Sequence, residues 1–257
     1  MIAKTLLSLL PVFFGLAQSE DPQWQLVWSD EFDDQGKPDP ARWGYQLGDL
    51  HKNNELQYYR RENAWVEDGQ LVIESRKESF EGMNYTSASL QTRQTANWLY
   101  GKVEVRAKLP TGRGMWPAIW MLGTNISEVG WPGCGEIDIM ENVGFDADRI
   151  HANIHTAAYN HVAKTGKGNS ILVDAPFQQF HVYSVEWFPD RIDFFVDQRH
   201  YFTFRNEGTG FATWPFDKPQ FLIINAAVGG WGAQEGMDDS IFPQRFFIDY
   251  VRVYAAR

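Results

Sequence analysis

Lys102-Val-Glu-Val-Arg-Ala-Lys108 alternates charge and hydrocarbon at every step. Side chains of an extended chain point to opposite faces in turn, so Val103, Val105 and Ala107 share one face, and Lys102, Glu104, Arg106 and Lys108 the other. A helix would scatter both sets around its circumference. The segment is therefore a strand with one face in a core and one in water. Other β-branched and aromatic runs flank it: Gln70–Arg76 before, and His181–Trp187, Ile192–Val196, Phe221–Val228 and Phe246–Tyr254 after. Turn sequences divide them, at Glu67-Asp-Gly69, Pro110-Thr-Gly112, Pro189-Asp190, Gly208-Thr-Gly210 and Gly229-Gly230. No long stretch carries a helical stripe, and there is no repeat, linker or low-complexity run. These patterns describe an all-β protein, a single antiparallel β-sandwich over residues 18–257.

The 257 residues carry 15% aromatics, including 11 Trp, and such large apolar rings can fill a core. Rigid flat rings also serve as surfaces that stack on a flat partner. The net charge of −10 repels polyanions, which argues against nucleic acid and favours a neutral partner. The single cysteine, Cys134, excludes an intrachain disulfide framework and any multi-cysteine metal site. It is expected to be buried and inert. The chain contains no G-x-x-x-x-G-K-[ST], H-E-x-x-H or G-x-S-x-G sequence, which removes the commonest nucleotide-binding, zinc-protease and serine-hydrolase chemistries.

At the N-terminus, Lys4 precedes an almost wholly apolar stretch, Leu6 to Leu16, too short to span a bilayer comfortably. Gly15-Leu-Ala17 closes it, and the polar Gln18-Ser-Glu-Asp21 follows. This is the form of a secretory signal peptide, residues 1–17, cleaved after Ala17. A buried apolar strand or helix is the competing reading, against which Pro11 and the polar tail weigh. No cysteine stands at the cleavage point to take a lipid anchor. The expectation is a monomer secreted to the periplasm or the outside, with no membrane attachment once the signal is removed.

Gly135-Glu-Ile-Asp-Ile-Met-Glu141 carries the chemistry. Alternation puts Glu136 and Asp138 on one face and Ile137 and Ile139 on the other. A regular strand would then drive Glu141 into the core, at high cost for a charge. One extra residue near Ile139 or Met140, a β-bulge, returns Glu141 to the acidic face, and such bulges are frequent beside active sites. Glycoside hydrolysis needs two carboxyl groups, one to protonate the leaving oxygen and one to attack the sugar or activate water. Crowded like charges hold different protonation states, and Asp138 between the two Glu supplies that crowding. The spacing leaves retention and inversion both open. An exposed acidic strand that blocks edge pairing is the competing reading of the three acids alone. Their surroundings favour chemistry: Trp116-Pro-Ala-Ile-Trp120 lies upstream, Trp131-Pro-Gly-Cys-Gly leads into the acids, and His151 and His155 follow.

With these residues in view, the sequence resembles the laminarinase branch of glycoside hydrolase family 16. The resemblance rests on Trp28-Ser-Asp-Glu-Phe32, Asn53-Asn-Glu-Leu-Gln-Tyr-Tyr59, Tyr100 to Pro110, Gly114 to Met121, Gly135 to Gly144, and Asp238 to Arg245 through Asp249 to Tyr254, in the family's order. The Glu-x-Asp-x-x-Glu form is specific to that branch. The resemblance implies a jelly-roll sandwich with a concave substrate cleft and retaining hydrolysis of β-linked glucans. Carried over, Glu136 is the nucleophile, Glu141 the acid/base and Asp138 the assistant. Asn54, Arg93, Trp116, Trp120, Trp131 and His155 become substrate-binding residues of the cleft. A structural Ca²⁺ away from the cleft is implied at Glu31, the carbonyl of Gly69, and Asp249, donors of the hard oxygen type calcium takes.

The function expected is that of a secreted endo-β-1,3-glucanase acting on β-glucan polysaccharide with no catalytic cofactor. The rivals are a β-1,3/1,4-glucanase or another neutral β-glycan hydrolase on the same fold, and a non-catalytic β-glucan-binding module. Such a module would be expected to lack one or both Glu residues, and this chain keeps both.

Overall fold

The computed structural model describes residues 23–257; the stretch expected to be the signal peptide lies outside them. Two sheets stack face to face. The larger runs Arg199–Arg205, Arg191–Val196, His181–Trp187, Gly101–Lys108, Gln244–Ala256, Gln70–Ser75 and Ala64–Glu67, with Trp24–Asp30 paired to the second half of Gln244–Ala256. The other runs Lys167–Leu172, Arg149–His155, Glu136–Glu141, Met115–Gly123, Gln220–Val228, Ser89–Gln91 and Gly44–Gln46. Neighbours in both sheets are antiparallel. One short pair departs from the antiparallel expectation: Gln57–Tyr59 lies parallel to Tyr85–Ser87. The longest α-helix among the described residues is a single turn, Ile126–Val129.

The decisive strand behaves as its pattern requires. In Gly101–Lys108, Val103, Val105 and Ala107 are buried and the four charged residues are half-exposed. Those three meet Tyr183, Val185 and Ile248 of neighbouring strands, and across the interface Ile119, Met121, Ile137, Ile139, Ile154, Leu222 and Ile224 of the opposite sheet. This interior is one apolar layer between two sheets.

The strand Gln220–Val228 is buried along its whole length. Leu222, Ile224, Ala226 and Val228 face the central core. Phe221 and Ile223 face the other way, into a smaller apolar cluster with Leu122 and Cys134, against which Trp120 packs. That second layer is the floor on which the groove is built. Cys134 lies inside it, fully buried, and burial pushes its thiol up to about 11, so it is the inert thiol expected. The Asp68-Gly69 hairpin turn, with φ of 51° and 72°, joins Ala64–Glu67 to Gln70–Ser75. Both central residues are left-handed, the geometry of a type I′ turn.

Candidate active site

The bulge is present. Against Arg149–His155, Glu136 stands opposite His155 and Asp138 opposite Asn153, but Glu141 stands opposite His151. Three steps on one strand match two on the other. The same slip appears against Met115–Gly123, where Asp138 faces Trp120 and Glu141 faces Ala118. Ile139 and Met140 absorb it, since both are fully buried in succession. Glu136, Asp138 and Glu141 therefore emerge on one face, lining a cavity of about 440 Å³ with Trp116, Trp120 and Trp131. A second cavity adjoins it, sharing Trp116, Glu136, Glu141 and His161, and is lined also by Asn54, Asn153, His155 and Trp231. Together they form one groove across the sheet.

Each Glu is held by an indole. Trp116 Nε1 donates to Glu141 Oε1 at 3.0 Å, and Trp131 Nε1 donates to Glu136 Oε2 at 3.1 Å. Glu141 also accepts from Asn153 Nδ2 at 2.6 Å. His155 Nε2 lies 3.2 Å from Asp138 Oδ2 and 3.6 Å from Glu136 Oε1. The Trp120 indole donates to Asn225, whose amide donates to the Tyr59 hydroxyl, and that hydroxyl lies 3.4 Å from Glu55 Oε2. Lys52 Nζ sits 5.1 Å from the Trp120 ring centre.

Burial and crowding lift all three acids above the ordinary carboxylate range. Glu136 is pushed up to about 8, by burial first and then by the charge of Asp138, with His155 pulling it back. Asp138 is raised well above its usual value by burial and by the charge of Glu141. Glu141 is raised by burial, while Asn153, His155 and Trp116 oppose the rise. A proton held on Asp138 removes the second cause of the rise in Glu136 and leaves burial, the first, in place. Buried carboxyl groups this crowded do not all ionise together, so one can keep a proton while another is charged.

Of the cleft residues expected from the sequence, Asn54, Trp116, Trp120, Trp131 and His155 line the groove. Arg93 is not among its lining residues. It is exposed, donates to Ser127 Oγ at 2.7 Å and lies over the Phe221 ring, next to Ile126 at the rim of the groove rather than in its lining. Trp116 and Trp131, expected as stacking platforms, are also hydrogen-bond donors to the two Glu. Asn153 was missed, although it falls between His151 and His155 at period two and so had to share their face. Lys52, Glu55, His161, Asn225 and Trp231 were missed because they arrive from loops and neighbouring strands, and nothing local in the sequence ties them to the acids.

The metal expectation has a definite place in the fold. Ile248 pairs with Leu71 and Val251 pairs with Asp30, so the segments that carry Gly69 and Glu31 flank the same edge of the last strand around Asp249. Asp249 sits in an irregularity where the register against Gly101–Lys108 slips. Glu31 holds Arg252 through both oxygens, and Asp249 Oδ2 accepts from Arg106 at 2.6 Å.

Two carboxyl groups able to hold opposite protonation states, in a groove walled by rings that suit sugar faces, make the protein a glycoside hydrolase. The sequence profile described as Glycosyl hydrolases family 16 matches residues 52–252. A β-glucanase of Rhodothermus marinus is 52% identical over 245 residues, covering 91% of this chain and 86% of that protein. The X-ray structure of the laminarinase from Rhodothermus marinus superposes with a TM-score of 0.90 at 52% identity, over 92% of this chain and 99% of that one. A glucan endo-1,3-β-glucosidase of Cryptopygus antarcticus is 40% identical over 239 residues, covering 86% of each chain. The chain belongs to glycoside hydrolase family 16.

Proposed function

We propose that the protein is a secreted endo-β-1,3-glucanase that cleaves internal bonds of β-glucan with retention. The observation that carries this reading is the bulge, which sets Glu136 and Glu141 on one face with an indole N–H on each. Glu136 attacks the anomeric carbon as the carboxylate, the form that burial and the charge of Asp138 disfavour; Glu141, protonated, gives its proton to the leaving oxygen, then takes one from the water that releases the glycosyl-enzyme. Asp138 holds the proton that spares Glu136 its repulsion, and His155 bridges the two. Trp120 and Trp131 offer ring faces to the sugars, and the groove runs past the acids rather than ending at them, which suits an endo mode.

The β-1,3 preference is supported by the relatives' described activities. A mixed β-1,3/1,4 specificity has support of its own: a solved structure titled a non-specific endo-β-1,3(4)-glucanase shares 49% identity and superposes with a TM-score of 0.87. Chromatography of products from laminarin, lichenan, agarose and carrageenan tests the proposal. A series of short oligosaccharides from laminarin supports it, and turnover of agarose or carrageenan alone refutes it.

Secretion as a monomer belongs to the same proposal, and so does calcium. The donor chemistry at Glu31, Gly69 and Asp249 suits a hard cation, because Asp249 Oδ1 and the backbone carbonyls are oxygens left over from the arginine pairs. The ion would join the first strand, the hairpin turn and the last strand.

A further inference from the structure

The histidine that bridges the acids of the groove also stands among them at metal-ligand spacing. His155 Nε2, Asp138 and Glu136 offer one ligating atom each, all within 4.8 Å of one another. Two of the edges are 3.2 Å and 3.6 Å. A tetrahedral ion with bonds of about 2.0–2.1 Å sets its ligand atoms about 3.3 Å apart. Asp138 is 4% exposed, and its Oδ2, the oxygen turned to His155, makes no hydrogen bond. A buried carboxylate oxygen without a donor is rare in proteins, and here it lies 3.2 Å from the imidazole nitrogen.

The geometry points to a divalent transition-metal site at Glu136, Asp138 and His155, with Zn²⁺ its natural occupant and reversible inhibition its consequence. One imidazole nitrogen with two carboxylate oxygens suits zinc or copper and is poorly matched to magnesium or calcium, which prefer oxygen alone. The fourth position opens to the groove. The inhibition rests on the hydrolase reading proposed above, because the ion occupies both the nucleophile and its assistant; the binding itself rests on the three side chains alone.

The same structure says why the ion is a visitor rather than a resident. Metal-bound histidines usually donate their second nitrogen to a carboxylate, carbonyl or water, a contact worth about 10–100-fold in affinity. His155 Nδ1 is buried and has no such partner. Other histidine–carboxylate contacts among the described residues, His51 with Asp49, His181 with Asp197 and His200 with Asp193, do not assemble three ligating residues.

Calorimetric titration of the metal-free protein with zinc chloride tests the site. One ion per chain is expected, with binding at least ten times weaker in both His155→Asn and Glu136→Gln, unchanged in His51→Ala, and unaffected by excess magnesium chloride. Zinc should inhibit glucan hydrolysis reversibly, with activity restored by EDTA. Wild-type zinc affinity in His155→Asn, or loss of binding in His51→Ala, overturns the site. Glu136→Gln decides alone if circular dichroism shows His155→Asn unfolded. Failure of the metal-free enzyme on every β-glucan would refute the hydrolytic proposal and leave the calorimetry standing.

Discussion

The indole of Trp116 donates to Glu141 at 3.0 Å, so a ring that walls the groove also bears on the proton affinity of Glu141. A donor to a carboxylate favours the ionised form, and this one pulls against the burial that raises Glu141. Trp116→Phe keeps a ring and removes the donor. The Glu141 proton is then held more tightly, and the alkaline limb of kcat/KM moves to higher pH. A pH–rate profile checks it. An alkaline limb that stays in place, or moves down, shows that the contact does not reach the acid/base in solution.

Trp131 combines two roles that a pair of variants separates. Its ring is 37% exposed and its N–H reaches Glu136. Trp131→Phe should lower kcat with little change in KM, because a face remains for a sugar while the nucleophile loses its anchor. Trp131→Ala should lower kcat and also raise KM for long glucans several-fold, the loss of a stacking contact of about 1 kcal/mol. Equal KM in both variants would remove the platform role.

Retention with Glu136 as nucleophile leaves a stereochemical signature. With an activated aryl glycoside and sodium azide, Glu136→Ala should yield the α-glycosyl azide, because azide enters from the side the carboxylate vacated. Glu141→Ala should yield the β-azide, because the covalent intermediate forms and azide replaces water. Proton NMR of the products reads the anomer. The β-azide from Glu136→Ala would reverse the two roles.

The acids and their bulge were legible because a strand has period two and a charge cannot face a core; Glu141 had only one place to go. The strand Lys102 to Lys108 was legible for the same reason. Gln220–Val228 was harder, since it is buried on both sides and shows no alternation across its polar residue Asn225. The indole–carboxylate bonds were not legible at all. They depend on the Trp116 and Trp131 side chains, carried by a neighbouring strand and a preceding loop, turning their N–H groups toward the acids. The position of Arg93 was not legible, because a cation next to a strand end gives no local sign of whether it turns into the groove or toward Ser127.

The raised proton affinity of Glu136 carries a stability consequence with a definite sign. An ordinary carboxylate titrates near 4.5, and Glu136 in the folded chain is pushed up to about 8. The folded state therefore binds this proton better than the unfolded state does. The contribution is fully present below about pH 4.5 and is lost as pH rises through about 8. Glutamine mimics the protonated form at every pH. Glu136→Gln should melt with the wild type at pH 4.5 and several degrees above it at pH 9, since about 1 kcal/mol moves the melting point of a chain this size by roughly 2–4 °C. Paired thermal melts at the two pH values check this, and a Gln variant less stable than wild type at pH 9 contradicts it.

Calcium at the edge of the larger sheet should act on stability and leave chemistry alone. The three segments that would hold it, at Glu31, Gly69 and Asp249, are brought together only by folding, through the pairing of the last strand with Trp24–Asp30 and with Gln70–Ser75. An ion bound there binds the folded state only, so stabilisation follows mass action, about 2.7 kcal/mol at a hundred times its dissociation constant. The arginine pairs set the competition: Arg106 holds Asp249 Oδ2 and Arg252 holds Glu31, so the ion gains less than it would at free carboxylates. Thermal melts of the wild type should rise with added calcium chloride and fall with EDTA, while Asp249→Asn should respond to neither. The activity of both proteins at low temperature should be equal, because the site lies on the sheet opposite the groove. A wild-type melting temperature that ignores calcium and EDTA alike removes the metal and leaves Arg106 and Arg252 as the permanent partners of these acids.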